Sequence, residues 1–498
     1  MYPFGKIPHE LRKNCNGMYK LIRSIDKTKL FIVAAYVLIA LFTVAYVLIV
    51  LHRYWQFQYF FTDNVYFQKA FWDVARFELP IVQHKFLGEI VILGDHFSPT
   101  IFFLSLPLPL YRGSEFTQLA MIIPFSIGMV FAVHLAHSLL HDKVRVLFLV
   151  MFSYLYLGFQ HAMIFGFHEI HFTPLFFWMM AWAYFMKRKM MYIVSIALLL
   201  LTKESMPIVV FCWGAFLLLS QGASVRKHAM VLMTVAILYF FVVIGVVIPA
   251  LGGKFLYAPD LGEASASIFT LVSRLFTPAE KIYTFIISVA SFGFLPLLNF
   301  ATLPLVLQDF LMRYISSIPG NNQYSLAFHY GIALTPMLTF SGLWSLYLTQ
   351  NNTVWRRVVP ILLLLGLVIT TITHWSYQGR GPLHQVFIPD FYNVTRDNSF
   401  LWELIDKTPR DSVVMTMNHL GFALADRDVH QFTSDSETFK RINPEYIVYD
   451  KRSDQSPANI LPFMNFDEYF KFIELLENDS RFVPYFEKGT LKILKRKT

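Results

Sequence analysis

A series of long apolar runs, broken by short polar loops, restricts this chain more than any other feature. The first run spans residues 30–51 and is nearly unbroken in apolar residues. It is long enough to cross a bilayer, which takes about 20 residues of helix. Ten more runs follow, at 116–140, 144–163, 172–186, 190–201, 207–219, 230–251, 282–298, 303–315, 326–348 and 358–373. Lipid offers no hydrogen bonds to backbone, so such runs become helices. Composition agrees: charged residues are 15% of the 498-residue chain, against roughly 25% in soluble domains. The chain reads as an α-helical polytopic membrane protein with about eleven transmembrane helices.

The formal charge of +9 is scattered over short loops and the N-terminal segment. Positive-inside topology explains that distribution, and nucleic acid is set aside as a partner. Lys6, Arg12, Lys13, Lys20, Arg23, Lys27 and Lys29 precede the first run and place the N-terminus in the cytoplasm. Eleven crossings then bring the basic loops 141–145, 187–189, 226–228 and 356–357 to that same side. The first run lacks a small-residue cleavage pattern and ends in Leu51-His52-Arg53-Tyr54-Trp55, an interface anchor. It reads as a retained signal-anchor in the plasma membrane. Cys15 and Cys212, the only cysteines, offer no disulfide framework. Runs 190–201 and 303–315 are shorter than the roughly 17 residues of a perpendicular span. They are either re-entrant or broken helices, or tilted spans extended by their flanks.

Three regions follow: a basic cytoplasmic N-terminus (1–29), a membrane domain (30–375) with a first outer loop at 53–99, and an extracytoplasmic α/β domain (376–498). In the first loop, residues 65–76 have a helical period and are predicted to lie flat on the membrane. Residues 100–111, with Pro107 and Pro109, are predicted to be half-inserted. In the C-terminal domain, strands are expected at 412–417 and 446–449, an amphipathic helix at 466–476, and a strand or hairpin at 482–494. No internal repeat stands out, and Gly252-Gly253 lacks the spacing of a nucleotide-binding loop.

Four polar groupings fall on the expected outer side. They are Thr62-Asp63-Asn64, Gly94-Asp95-His96-Phe97-Ser98-Pro99, Phe165-Gly166-Phe167-His168-Glu169-Ile170-His171-Phe172 and Leu201-Thr202-Lys203-Glu204-Ser205. Ionisable groups at membrane depth are costly, so they mark sites or paired networks. Asp63 is either a reacting group or the N-cap of a helix beginning near Asn64. His168 and His171 lack the His-Glu-x-x-His spacing of zinc proteases. They are either metal ligands helped by Asp63 or Asp95, or hydrogen-bonded interface histidines. Lys203 and Glu204 are either a neutralised pair or a contact for a lipid phosphate. Arg274, Asp309, Arg313, His329 and Tyr330 form a second tier, belonging to a cavity or to helix interfaces.

The order of these motifs, an acid after the first span, Asp-His-Phe-Ser-Pro, Gly-Phe-His-Glu-x-His-Phe and Thr-Lys-Glu, resembles a family of bacterial and archaeal polytopic proteins grouped with the GT-C glycosyltransferases. Phe328-His329-Tyr330, Pro409-Arg410-Asp411-Ser412-Val413 and Pro444-Glu445-Tyr446-Ile447-Val448-Tyr449-Asp450 fit it too, so the resemblance covers almost the whole chain. It implies inverting transfer of a sugar from a polyprenyl-phosphate donor to a glycan, lipid or protein acceptor on the outer face. It also implies a catalytic acid in the first outer loop, which Asp63 matches. Many members carry paired acids there, whereas Asn64 follows Asp63 here, so dependence on a divalent ion (magnesium or manganese) stays open. The departing phosphate needs a positive partner: Lys203 first, Arg380 second, an ion at His168 and His171 third. Asp95, His96, His168, Glu169, Lys203, Glu204, His329, Tyr330 and Arg380 make up the expected substrate-binding set. A transporter or flippase would want midplane charges and related half-sequences, neither of which is clear here. An assembly factor acting through its outer domain is the third reading.

Overall fold

The computed structural model describes residues 27–84, 88–110, 113–254, 268–315, 322–376, 381–433, 435–460 and 464–497; the side chains of residues 61–63 lie outside this description, as does Arg380. Helix α1 (Lys27–Trp55) explains why hydropathy finds a span without finding its faces. Leu30, Val33, Val37, Leu41 and Val44 form an exposed stripe, while Ala35, Ile39, Tyr46, Ile49 and Val50 are buried. Both stripes are apolar because lipid and protein interior are equally dry.

Helix α2 (Phe61–Ala75) and the hairpin of β1 (Ile81–His84) and β2 (Gly88–Val91) form the first loop. Next come α3 (Glu115–Leu139), then α4 (Val144–Leu155) and α5 (Leu157–Phe165), bent by 44° at their junction. Helices α6 (Thr173–Phe185), α7 (Lys189–Leu200), α8 (Met206–Gln221) and α9 (Arg226–Val242) follow. Gly222 between α8 and α9 has φ +66°, a conformation side chains with a Cβ rarely adopt, and turns the chain back. The bundle is completed by α10 (Ile268–Phe276), α11 (Glu280–Ala290), α12 (Leu303–Ile315), α13 (Gly331–Thr349) and α14 (Thr353–Ser376).

Each of the eleven apolar runs contains helix. Among the described residues, however, five stretches are long and apolar enough to cross a membrane, or up to six if α4 and α5 make one span. Helices α6, α7, α11 and α12 have only 11–13 residues. The eleven runs thus fold into a bundle of long and short helices, one of the five stretches, Met206–Ala250, itself holding both α8 and α9. Several short ones end on folded loops that are buried in protein, where irregular backbone is tolerated.

The basic loops gather at one end of this bundle. The His141 amide donates to Gln350 Oε1 (2.9 Å), Tyr184 donates to Gln221 Oε1 (3.0 Å), and Tyr192 meets His228 (3.0 Å). The four motif loops and the C-terminal domain lie at the other end. There α2 is not free to lie on a membrane: Asn64, Val65, Phe67, Gln68, Ala70, Phe71, Trp72 and Asp73 are all buried. It is enclosed between the 3₁₀ helix Pro99–Ser105 and the domain's short helix Gly421–Leu424. The region predicted to be half-inserted holds that 3₁₀ helix, packed under α2.

The C-terminal domain contains α15 (Arg396–Lys407), β3 (Val413–Thr416), β4 (Asp428–Gln431), α16 (Ser436–Ile442), β5 (Tyr446–Asp450), α17 (Phe466–Glu477), β6 (Phe482–Lys488) and β7 (Leu491–Arg496). Its sheet has the order β4-β3-β5-β7-β6, with the first three strands parallel. Tyr54, Phe57, Tyr59 and Val65, from the end of α1 and the start of α2, join Leu401, Phe422, Val429 and Ile447 in one core. Each buried large side chain is worth roughly 1.5–3 kcal/mol, enough together to dock the domain firmly. The Trp402 indole also donates to the Trp55 carbonyl (2.9 Å).

Candidate functional site

The site is assembled where α2 meets the loop after α5. Gly166 ends α5 with φ +128°, and a Cβ there would collide with the Asn64 carboxamide. Asn64 Oδ1 accepts from the Phe167 amide (2.9 Å), and its Nδ2 donates to the Phe60 carbonyl (3.4 Å). Asp63 is therefore the third residue of a helix whose first turn is tied to this loop. The N-cap is the extended Phe60 rather than Asp63, so Asp63 lies inside the first turn, where the helix dipole favours a carboxylate.

Past Gly166, His168 precedes the 3₁₀ turn Glu169–Phe172. Its ring lies flat on His329, with centroids 3.5 Å apart and planes 18° from parallel. Phe165 packs against both rings, and Tyr330 lies beside His329 (4.1 Å). His171 faces elsewhere, its Nδ1 turned back onto the His168 backbone, 2.8 Å from the carbonyl oxygen and 3.1 Å from the amide nitrogen. The two rings thus have different surroundings, His168 stacked on His329 and His171 turned onto backbone. Among the described residues, no group of three or more His, Cys, Asp or Glu side chains is arranged to hold one.

An ion cluster adjoins the stacked rings. Glu169, wholly buried, pairs with Lys203, and His168 Nδ1 is 3.8 Å from its other oxygen. Glu204, also buried, accepts from His96 Nδ1 (2.9 Å) and from the Phe97 amide (3.1 Å). Neighbours in the chain thus pair across loops, Lys203 with Glu169 and Glu204 with His96. Burial opposes charge on both carboxylates. Lys203, His96 and His168 nevertheless hold Glu169 well below the usual carboxylate range, and His96 and Lys203 lower Glu204. Burial and Lys203 oppose charge on His96, but Glu204, Asp95 and Glu169 outweigh them and hold it up at about 9. The cluster is a charged, mutually neutralised network spanning three loops.

Of the expected residues, Asp95, His96, Glu169, Lys203 and Glu204 come together, with His168, His329 and Tyr330 against them. The second tier divides: His329 and Tyr330 join the site, whereas Arg313 pairs with Asp309 one turn before it and donates to the Gln323 carbonyl (3.2 Å), and the Arg274 carbonyl accepts from Lys281 (2.8 Å). Sequence reasoning missed Asn64 and Gly166 as partners. It also missed Lys69, which joins Asp73 on α2 to Asp428 on β4, both at 3.3 Å. The one available signal was a glycine placed just before a polar motif.

A helical bundle capped at one end by buried polar loops and an α/β domain defines a polytopic membrane protein of GT-C-like fold. The chain belongs to the DUF2079 family of predicted membrane proteins, whose model matches residues 53–467. Its fold is similar to that of ArnT from Cupriavidus metallidurans, crystallised bound to undecaprenyl phosphate. That likeness has a TM-score of 0.51 at 10% sequence identity, and covers 91% of this chain and 97% of that one. No curated protein matches the chain.

Proposed function

We propose that this protein is an inverting glycosyltransferase of the plasma membrane. It moves a sugar from a polyprenyl-phosphate carrier to a glycan, lipid or protein acceptor on the outer face, with its N-terminus in the cytoplasm and the α/β domain outside. The observation that carries the reading is the docking of the first turn of α2, which contains Asp63, onto the loop bearing His168 and Glu169. The fold likeness to a protein crystallised with undecaprenyl phosphate supports the lipid carrier.

In the reaction, the sugar C1–oxygen bond to phosphate breaks and its electron pair leaves with the phosphate. The acceptor oxygen bonds to C1 from the opposite face, and its proton passes to the Asp63 carboxylate, acting as general base. The phosphate is already a good leaving group and needs cations more than an acid. Lys203 and His96 supply them, held in place by Glu169 and Glu204. The stacked His168 and His329, with Tyr330, form a wall for the sugar.

The test compares wild type with Asp63→Asn on a panel of radiolabelled polyprenyl-phosphate sugars, with and without magnesium or manganese, and reads release of sugar from lipid. The expected loss is about 10²–10⁴-fold. Equal turnover by both proteins would remove Asp63 from the mechanism. Absence of turnover and of binding across a broad panel would favour a transporter.

A further inference from the structure

We infer that Asn64 is a positioning residue, which holds the first turn of α2, and with it Asp63, against the turn at Gly166–His168. The inference rests on the reading of Asp63 as the base, and two observations carry it. The Asn64 carboxamide, almost fully buried, bonds to Phe167 of the facing loop and to Phe60 of its own helix start. Independently, Gly166 is a residue without a Cβ at the one place where a Cβ would strike that carboxamide. The two surfaces are shaped to each other, and asparagine meets that shape with an acceptor and a donor on one short side chain.

The rest of the helix is held differently. Lys69 links its middle to Asp428 of the C-terminal domain, and Arg76, just past its end, donates to the Asp426 carbonyl. First turns of helices fray because their amides lack partners within the helix. Here the N-cap, Phe60, adds no side-chain bond. Tyr59 and Val65 pack this end against the C-terminal domain, and Asn64 adds a directed bond from it to the facing loop, at the turn that carries Asp63. A general base must lie within hydrogen-bond reach of the proton it takes, and a displacement of about 1 Å can cost 10²-fold in rate.

The experiment uses the full-length protein in detergent, with turnover of a polyprenyl-phosphate sugar read beside hydrogen exchange at the Phe167 amide. Asn64→Ala is expected to lower kcat about 10- to 100-fold, leave KM for the donor unchanged, and speed exchange at Phe167. Asn64→Asp keeps an acceptor for that amide and should restore most of kcat. Its added carboxylate beside Asp63 should move the acidic limb of the pH–rate profile to higher pH, a shift that a purely structural role would not produce. Gly166→Ala should lower kcat in wild type and add less in an Asn64→Ala background, because the two changes break one contact.

Faster exchange with unchanged kcat in Asn64→Ala would overturn the positioning role. Unchanged exchange would overturn the tether itself. If Asp63→Asn turns over as wild type does, the reading of Asp63 fails and the positioning role falls with it, whereas the exchange measurement still reports on the tether alone.

Discussion

The two ends of the bundle treat charge in opposite ways. At one end Lys187, Arg188, Lys189, Arg226, Lys227, Arg356 and Arg357 are exposed, with Arg145 buried beside Asp142 as the exception. At the other, Glu169 and Glu204 are buried and bound to Lys203 and His96 from different loops. An exposed charge keeps its water and contributes little through contacts, commonly less than about 1 kcal/mol per pair. A buried one costs several kcal/mol unless partners surround it. The first kind stays hydrated; the second ties loops from distant parts of the chain together at some cost in stability.

The sharpest way to break this comparison is to remove one buried partner. Glu169→Ala removes a buried carboxylate that pairs with Lys203 and should cost about 3–5 kcal/mol, read as a lowered midpoint of thermal unfolding in detergent. Replacing both, as Glu169→Leu with Lys203→Met, should recover much of that loss. An equal loss in the double variant would mean that packing, not charge, sets the cost.

The pH dependence comes next. His96 is held up at about 9 from an ordinary 6.5. Its contribution is therefore complete below about 6.5 and lost as pH rises through about 9. Glu169 and Glu204 are lowered. Their contribution is complete above the ordinary carboxylate range and lost only as pH falls through their depressed values. Thermal stability should accordingly decline on the alkaline side in wild type, and His96→Gln should remove that limb. An alkaline limb that survives in His96→Gln would assign it to another group.

Smaller effects belong to half-exposed and exposed charges. The Asp428 side chain, paired with Lys69, is 47% exposed, so Asp428→Asn should cost about 1 kcal/mol or less. Replacing both Arg356 and Arg357 with Gln, at the basic end, should change the melting free energy by no more than about 0.5 kcal/mol. A loss there comparable to that of Glu169→Ala would erase the contrast between the ends.

Much of the fold was legible because its signals are local. Lipid-length apolar runs, basic loops, the strand at Tyr446–Asp450 and the amphipathic α17 all announce themselves within a few residues. Strand β4 does not: Asp428-Val429-His430-Gln431 has a single apolar residue, and it becomes a strand because β3 lies beside it, Val414 opposite Val429. Helix α2 showed its period but not its cover. An amphipathic face looks the same whether membrane or protein lies over it, and the covering domain begins more than 300 residues later.

Sequence by itself determined that this is a helical membrane protein, which residues cannot comfortably face lipid, and the order in which the polar motifs occur. Tertiary structure alone decided how those motifs meet. Lys203 reaches Glu169 instead of its neighbour Glu204, Glu204 reaches His96, and Asn64 fills the space that Gly166 leaves open. Adjacent side chains leave the backbone in different directions, and a buried charge takes whichever partner the packed loops bring within reach. That choice depends on distances between segments far apart in the chain, which no local pattern records.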